Sequence, residues 1–271
     1  MINIFYCSDK KYFKQLFLSL ITLVDHTDEA LNVTILTEEV SEISRNKAHT
    51  EEDRLFCEKL LKSKNPESKV NLVDISDLFR QRLLPSVNYP NKYYHYFVTL
   101  RLVADLVPEI GDKVIYLDTD VFFNDDVKKL WDIFDERYEM TGRRDAGRIT
   151  KYIHSGVMLL NMKLIRENHS FEKACERCRN KKYICYIDMS ALNTVIKKKR
   201  VMPTRFCSFK YKKDNVIHHL CAIREGKVLF SKKWWHRIKP DEIELMRKAC
   251  PYYENYYNLF EEYAKTYNFE P

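Results

Sequence analysis

The stretch Lys113-Val-Ile-Tyr-Leu-Asp118-Thr-Asp120-Val-Phe-Phe123 decides the fold that we predict. An apolar, β-branched run that ends in two carboxylates is typical of a buried strand that brings charge to the edge of a sheet. With the two-residue period of a strand, Asp118 and Asp120 point to the same side. Because like charges on one face repel each other, we expect a divalent cation between them. The alternative is a strand end whose two acids simply face water.

Strands and helices alternate along the rest of the chain. Apolar runs predict further strands at residues 3–7, 32–37, 69–73, 152–161 and 216–219. Helical spacing of apolar residues predicts helices at residues 10–25, 51–62, 76–83 (capped by Ser76), 93–107, 171–179, 190–198 and 241–267. This alternation predicts an α/β fold with a mostly parallel sheet. We divide the chain into one domain, residues 1–230, and a helical carboxy-terminal extension, residues 231–271.

Composition limits the kinds of partner. The chain has 271 residues, 45% of them hydrophobic, and its 46 basic and 39 acidic residues leave a net charge of +7. That balance favours phosphorylated small molecules or an anionic membrane surface, and we do not expect nucleic acid. The amino terminus lacks the pattern of a secretion signal and no apolar run could span a bilayer, so we predict a cytoplasmic protein.

The cysteines and the tail each raise one further interpretation. The eight cysteines are scattered, and in a reducing compartment we expect buried thiols; the one CxxC, Cys175 to Cys178, is a weak zinc signal. Lys232-Lys-Trp-Trp-His-Arg237 combines cations with a tryptophan pair, which predicts peripheral attachment to an anionic membrane. Undiminished binding to anionic vesicles after deletion of the tail would contradict that attachment.

Glycine usage excludes two phosphate-binding motifs. None of the five glycines forms a GxGxxG or a GxxxxGK motif. Any bound phosphate must therefore be held by a metal ion and basic side chains rather than by a glycine-rich loop.

Several motifs, in this order along the chain, resemble those of glycosyltransferase family 8, which has the GT-A fold and includes glycogenin and bacterial lipopolysaccharide α-galactosyltransferases. The resemblance covers roughly residues 2–224. The segments that carry it are Asn3-Ile-Phe-Tyr-Cys-Ser-Asp9-Lys-Lys-Tyr12, Thr99-Leu-Arg101-Leu102, Asp118-Thr119-Asp120, His154-Ser155-Gly156-Val-Met-Leu-Leu-Asn161 and Ile187-Asp188-Met-Ser-Ala-Leu-Asn193. His154 replaces the family's usual Asn, and Met189 and Ser190 replace a Gln and the second acid of the motif that begins at Asp188.

The resemblance implies a role for each matching residue. It implies that the nucleotide and the sugar donor are bound by Cys7, Ser8, Asp9, Tyr12, Arg101, Thr119, His154 and Ser155. In the family Asp9 accepts a hydrogen bond from uracil, and Arg101 reaches the phosphate and the sugar. Asp145 is expected to orient sugar hydroxyls and Asp188 to stabilise the developing oxocarbenium ion, so that Asp188, Asp145 and Arg101 form the expected catalytic set.

The third metal ligand is ambiguous between two adjacent histidines. The family motif His-x-x-Gly-x-x-Lys-Pro-Trp can begin at His218, which puts Arg224 at the phosphate-binding Lys, or at His219, which puts Glu225 there. We prefer His218 together with Asp118 and Asp120, because an acid would repel the diphosphate. Oxygen and imidazole ligands together suit Mn²⁺, with Mg²⁺ as the alternative.

Three predicted site residues also have structural alternatives. Arg101 could pair with Asp105 one turn along its helix, and Asp188 could cap the helix that begins beside it. His154 could be a satisfied histidine within a strand.

The function that the resemblance implies is a metal-dependent, retaining transfer of a hexose, galactose or glucose, from a UDP-sugar to a glycan, glycolipid or glycoprotein acceptor. Two alternatives remain. Asp118-Thr-Asp120 also resembles the nucleophile motif of haloacid dehalogenase phosphatases, although that class usually begins with this strand. A non-catalytic module that binds membrane or RNA through its tail would leave the other motifs unexplained.

Overall fold

Seven strands form one sheet in this computed structural model, which describes residues 1–40, 47–84, 96–145, 151–180, 187–222 and 243–267. In chain order, the strands of this sheet and of a separate two-stranded pair are β1 (Ile2–Cys7), β2 (Leu31–Thr37), β3 (Lys69–Asp74), β4 (Lys113–Leu117), β5 (Val121–Phe123), β6 (Met140–Arg144), β7 (Ile153–Asn161), β8 (Lys199–Met202) and β9 (Ile217–His219). The sheet has the order β3-β2-β1-β4-β7-β6-β8, and β5 pairs separately with β9.

The sheet is mixed and mostly parallel, as the sequence predicted. β1 runs parallel to β2 and β4, β2 to β3, and β6 to β8, whereas β7 runs antiparallel to both of its neighbours, β4 and β6. Because of this reversal, the carboxyl ends of β1, β4 and β6 meet the amino end of β7 at one edge. The strand ends that carry the predicted site residues therefore share an edge of the sheet.

Helices cover both faces of the sheet. They are α1 (Phe13–Asp25), α2 (Glu51–Lys64), α3 (Ser76–Arg82), α4 (Lys128–Trp131), α5 (Met162–Glu167), α6 (Ser170–Asn180), α7 (Ile187–Val195), α8 (Ile243–Ala249) and α9 (Glu254–Ala264). Residues Tyr96–Leu106 form a long 3₁₀ helix. In β4, Ile115 and Leu117 enter the core beneath α1, and Val114 and Tyr116 enter the core on the opposite face. Burial on both faces explains why this run is continuously apolar.

The predicted cap at Ser76 is wrong. Ser76 is itself the first helical residue of α3, and its backbone N–H donates to Asp74 Oδ1 at 2.8 Å. The carboxylate two residues earlier accepts this helix-terminal N–H, and Ser76 Oγ instead accepts the N–H of Glu39 at 2.9 Å.

The carboxy-terminal helices pack on the amino-terminal half of the chain. Tyr257 and Phe260 of α9 are buried in the core that also contains α1, and the rings of Phe17 and Phe260 lie 6.3 Å apart. Tyr267 donates a hydrogen bond to the buried Asp53 of α2. The predicted domain boundary and the tail segment 232–237 lie outside the described residues.

Two further predictions concern membranes and thiols. Among the described helices, none is both long and apolar enough to cross a bilayer. Cys175 and Cys178 are thiols buried in α6, and Cys175 Sγ donates to the carbonyl of Leu102 at 3.5 Å.

Candidate functional site

The candidate site lies where β4 ends. β4 stops at Leu117, so Asp118, Thr119 and Asp120 form a turn before β5 rather than a continuation of the strand. Asp118 is still fixed to the sheet, because its N–H donates to the carbonyl of Gly156 in β7 at 2.8 Å. The predicted strand geometry is therefore wrong for these residues, although the two carboxylates do lie together.

Asp118, Asp120 and His219 form one compact group. One ligand atom from each lies within 4.8 Å of the other two. His219 Nε2 is 3.0 Å from Asp120 Oδ1 and 3.7 Å from Asp118 Oδ2. Two carboxylates and one imidazole are suitable donors for a first-row divalent cation. Of the two histidines that the sequence left open as the third ligand, His219 is therefore the one that lies with the aspartates.

The preference for His218 is wrong for this geometry. In β9, adjacent side chains face opposite sides, and Val121 pairs with His219 while Phe122 pairs with His218. His219 consequently faces Asp120, whereas His218 Nδ1 lies 2.9 Å from the hydroxyl of Tyr253 in the carboxy-terminal region. His218 joins β9 to that region, and its side chain is 2% exposed.

The proton of His219 balances the two carboxylates. Burial alone would lower the pKa of His219, but Cys221 and the Asp120 carboxylate raise it well above its usual value. A protonated imidazole places positive charge beside two acids that would otherwise repel each other. A divalent cation bound by the same groups would replace this proton.

Arg101 lies between Asp118 of the candidate metal site and Asp188, the predicted catalytic acid. Its guanidinium is 3.0 Å from Asp118 Oδ1 and 3.5 Å from Asp188 Oδ2, and it donates to the carbonyl of Ser155 at 2.6 Å. It also lies 4.2 Å from the ring centre of Tyr116. Arg101 is only 4% exposed. Its partners among the described residues are two carboxylates and the Ser155 carbonyl, and the phosphate contact that the resemblance implied stays a prediction.

The alternative pairing of Arg101 with Asp105 is also wrong. Asp105 instead pairs with Arg82 of α3 at 2.6 Å.

Asp188 is a buried acid in the first turn of α7. It is the second residue of that helix, so the predicted alternative of an N-cap residue does not describe it. Burial raises the pKa of Asp188 although the charge of Arg101 opposes the rise. The ion pair with Arg101 compensates a carboxylate that would otherwise be costly to bury.

A second buried acid follows β1. Asp9 Oδ1 accepts the N–H of Tyr12 at 3.2 Å, while Oδ2 is buried and has no hydrogen-bond partner among the described residues. Burial raises the pKa of Asp9 to about 7. Tyr12 lies beside it, with its ring 5.4 Å from that of Phe97. A buried acceptor without a partner suits a ligand that brings its own donor.

The neighbours of Asp9 in β1 and the following turn are also buried. Ser8 lies 3.0 Å from His49 Nε2 through its hydroxyl. Burial raises the pKa of the Cys7 thiol to about 12, and the charges of Arg101 and Asp118 act on it from nearby. Cys7 thus lies close to Arg101, Asp118 and Asp188.

Gly156 allows β7 to approach the turn formed by Asp118, Thr119 and Asp120, which we call the acidic turn. A Cβ at this position would lie 2.1 Å from His219 Cε1 and 2.8 Å from Asp118 Oδ2. A glycine inside a strand is typical of a bend or a close approach, and here the close approach is to two candidate metal ligands. His154, two residues earlier, accepts the Gly156 N–H at 3.1 Å and makes edge contacts with the rings of Phe209 and His219.

The remaining predicted residues are placed less fully. Asp145 follows β6 at the same edge of the sheet, and its N–H donates to the carbonyl of Tyr152 at 2.8 Å. Thr119 Oγ1 donates to Gln15 of α1 at 3.4 Å. Arg224 lies outside the described residues.

The structure adds Tyr116 and Cys221, which the sequence analysis did not include in the site. The Tyr116 hydroxyl donates to Asp118 Oδ1 at 2.5 Å, and burial raises its pKa well above the usual value. Its position two residues before Asp118 in a strand was the available signal. Cys221 lies beside His219, and only the turn after β9 brings it there.

The comparisons with known proteins agree with this arrangement. A family model described as glycosyl transferase family 8 matches residues 3–219. Comparison with curated protein sequences found no significant match.

Solved structures share the fold at low sequence identity. The galactosyltransferase LgtC, in complex with donor and acceptor sugar analogues, is 19% identical over 100% of this chain and 98% of its own, with a TM-score of 0.66. Mouse xyloside xylosyltransferase 1 is 16% identical over 80% of this chain and 96% of its own, with a TM-score of 0.56. The match to the bifunctional glycosyltransferase WbbM (14% identity, TM-score 0.60) covers 76% of this chain but only 39% of that chain.

Proposed function

The chain belongs to glycosyltransferase family 8, and on that basis we propose that it transfers a hexose, galactose or glucose, from a UDP-sugar to a glycan, glycolipid or glycoprotein acceptor. The proposed transfer retains the configuration of the anomeric carbon and requires Mn²⁺ or Mg²⁺. The convergence of Asp118, Asp120 and His219 at the end of β4 is the observation that carries this proposal. Family membership favours this function over the phosphatase and the non-catalytic module.

In the proposed site, Asp118, Asp120 and His219 would hold the cation. The cation would act as a Lewis acid that stabilises negative charge on the departing diphosphate. The three donors fit this role, because their ligand atoms already lie within 4.8 Å of one another. Without the cation, the proton on His219 supplies the positive charge that offsets the two carboxylates.

The nucleotide would lie between the acidic turn and the end of β1. We assign the uracil to Asp9, whose buried Oδ2 can accept the N3–H of the base, with Tyr12 beside it. Cys7, Ser8 and Thr119 line the same edge of the sheet. With His219 as the first residue of the motif, Glu225 stands at the position of the family's Lys. We propose that the adjacent Arg224 supplies the phosphate contact, because an acid would repel the diphosphate.

Asp188 would face the sugar as its bond to the diphosphate breaks. A buried carboxylate can stabilise the positive charge that develops at the anomeric carbon. Arg101 contacts both Asp118 and Asp188 and would act as a positioning residue that fixes the two carboxylates relative to each other. Asp145, Ser155 and His154 would orient the sugar from the neighbouring strands.

A panel of UDP-sugars tests the proposed function. The protein should release UDP from one or more hexose donors when Mn²⁺ is present, faster with a sugar acceptor than with water. Chelation of the metal should stop the release, and added Mn²⁺ should restore it. If every donor gives only background release, with and without candidate acceptors, the proposal is wrong.

The donor affinity is expected to depend on the charge of Asp9. Only the carboxylate leaves both oxygens free to accept, Oδ1 from the Tyr12 N–H and Oδ2 from the uracil N3–H. The KM for the donor should therefore rise by up to about tenfold per unit as the pH falls below about 7. In Asp9→Asn this dependence should vanish and donor affinity should fall by about 10-fold to 100-fold.

Stability is expected to change in the opposite direction. The pKa of Asp9 is higher in the folded state than its usual value, so the folded state favours the protonated acid and loses stability as the pH rises from that usual value to about 7. At pH 8, Asp9→Asn should therefore melt at a higher temperature than wild type although it binds the donor more weakly. A lower melting temperature together with an unchanged KM profile would contradict this role for Asp9.

A further inference from the structure

A second group of metal-binding side chains adjoins the acidic turn. His154, His219 and Cys221 each offer one ligand atom, and these atoms lie within 4.8 Å of one another. This group shares His219 with the group formed by Asp118 and Asp120. Four donors of three chemical kinds, two carboxylates, an imidazole and a thiol, therefore surround the His219 imidazole.

The other two members of this group, His154 and Cys221, are softer donors than the aspartates. His219 directs Nε2 towards Asp120, while its buried Nδ1 has no hydrogen-bond partner among the described residues. The thiols of Cys207 and Cys221 both lie beside this ring. An imidazole nitrogen without a partner, close to a thiol and to a second imidazole, is a group that a metal ion can satisfy.

His154 has to exchange one bond to take part. Its Nδ1 now accepts the N–H of Gly156 at 3.1 Å. Loss of such a hydrogen bond costs about 1 kcal/mol, which is small beside the free energy of a bond to a transition metal. His154 also stands where family 8 usually has Asn, so this donor distinguishes the present chain from the family pattern.

Donor chemistry then determines which cation this group prefers. Thiolate and imidazole ligands favour Zn²⁺ and Co²⁺, whereas carboxylates and water suit Mn²⁺ and Mg²⁺. Divalent affinity for a given site also rises from Mn²⁺ to Co²⁺.

We propose that His154, His219 and Cys221 form a site for a thiophilic divalent cation, Zn²⁺ or Co²⁺, which excludes Mn²⁺ from the adjoining aspartates. Binding forms bonds from the metal to the Cys221 sulfur and to one ring nitrogen each of His154 and His219, and it releases to solvent the Cys221 thiol proton and the extra proton of the His219 imidazolium. The two cations exclude each other because both need His219 and because two divalent charges this close repel strongly. The exclusion rests on the proposed binding of Mn²⁺ by Asp118, Asp120 and His219, but it does not depend on the sugar transfer itself.

Cobalt spectroscopy on the full-length protein, freed of metal by chelation, tests the ligands. One equivalent of Co²⁺ should produce a thiolate-to-cobalt charge-transfer band, and Zn²⁺ should remove it. The band should disappear in Cys221→Ser, and His154→Asn should weaken cobalt binding by at least about tenfold. Cys178→Ala serves as the control, since it removes a buried thiol and breaks the CxxC pair; its band should match wild type.

Competition with Mn²⁺ tests the exclusion. Zn²⁺ added to the Mn²⁺-loaded protein should release Mn²⁺, measured by the electron paramagnetic resonance of the free ion. His154→Asn should need at least about tenfold more Zn²⁺ for the same release. Asn at this position can still accept the Gly156 N–H, so this variant carries the test if Cys221→Ser does not fold.

Three results would overturn the proposal. They are the absence of a thiolate band in wild type, a band that persists in Cys221→Ser or is lost only in Cys207→Ser, and Zn²⁺ binding that leaves Mn²⁺ in place. None of these results bears on UDP release, so the proposed transferase activity stands or falls separately.

Discussion

The double variant Asp118→Asn/Asp120→Asn is expected to release UDP at least about 10³-fold more slowly than wild type. Each substitution replaces an anionic oxygen ligand with a neutral amide, and together they remove both negative donors from a group whose third member is His219. Without the cation, charge on the departing diphosphate loses several kcal/mol of stabilisation. Initial rates of UDP release at saturating Mn²⁺, with the preferred donor, measure the effect.

The matched control is Asp112→Asn/Asp132→Asn. These two aspartates lie on either side of the same segment, and their side chains are 71% and 55% exposed. The chemical change is identical, yet we expect a rate within about twofold of wild type because surface pairs contribute little. Equal rates in Asp118→Asn/Asp120→Asn and wild type, with both proteins folded by circular dichroism, would refute the assignment of these two aspartates as cation ligands.

Gly156→Ala is expected to lower kcat/KM by about 10²-fold to 10³-fold. The added Cβ would overlap His219 Cε1 at 2.1 Å and Asp118 Oδ2 at 2.8 Å. β7 cannot easily move away, since it lies inside the sheet between β4 and β6 and the Gly156 carbonyl accepts the Asp118 N–H. The imidazole must therefore swing out, and misplacement by about 1 Å costs about 10²-fold in rate.

Gly111→Ala controls for the loss of a glycine as such. Its Cβ would meet only the end of the Asn3 side chain, at 3.1 Å from Nδ2. We expect near-normal turnover and Mn²⁺ affinity in this variant. In Gly156→Ala, Mn²⁺ affinity measured by paramagnetic resonance should fall together with turnover. Normal Mn²⁺ binding in Gly156→Ala would mean that His219 does not belong to the cation site.

The positions of β1, β2, β3, β4, β7 and β9 along the chain could be predicted from the sequence, because each follows from a local apolar pattern. The run Lys113–Leu117 is apolar on both faces, which indicated a buried central strand before any neighbour was known. The reversed direction of Ile153–Asn161 could not be predicted in this way. A buried apolar run has the same pattern whether it pairs parallel or antiparallel, and only the loops around it determine its direction.

The choice between His218 and His219 fails for a related reason. Alternation along Ile217–His219 guarantees that the two side chains face opposite sides, but not which side faces the aspartates. That depends on the register with Val121–Phe123, which the structure supplies. The preference for His218 rested on the negative charge of Glu225 beside a diphosphate. That argument concerns the phosphate contact, which does not determine which histidine faces the aspartates.

Arg101 illustrates a limit of matching single residues to a motif. The sequence indicated a basic residue near the donor, and the structure places it at the site. Its burial between Asp118 and Asp188 depends on three segments that are distant in sequence. Tyr116 and Cys221 were missed because a tyrosine in an apolar strand and a lone cysteine each have a commoner structural explanation.

The location of bound Mn²⁺ tests the central claim most directly. Crystals grown with UDP and Mn²⁺ should give an anomalous difference peak at the manganese edge between the carboxylates of Asp118 and Asp120 and Nε2 of His219, with the diphosphate on its open side. A peak at His218, or a diphosphate bound away from the end of β4, would contradict the account.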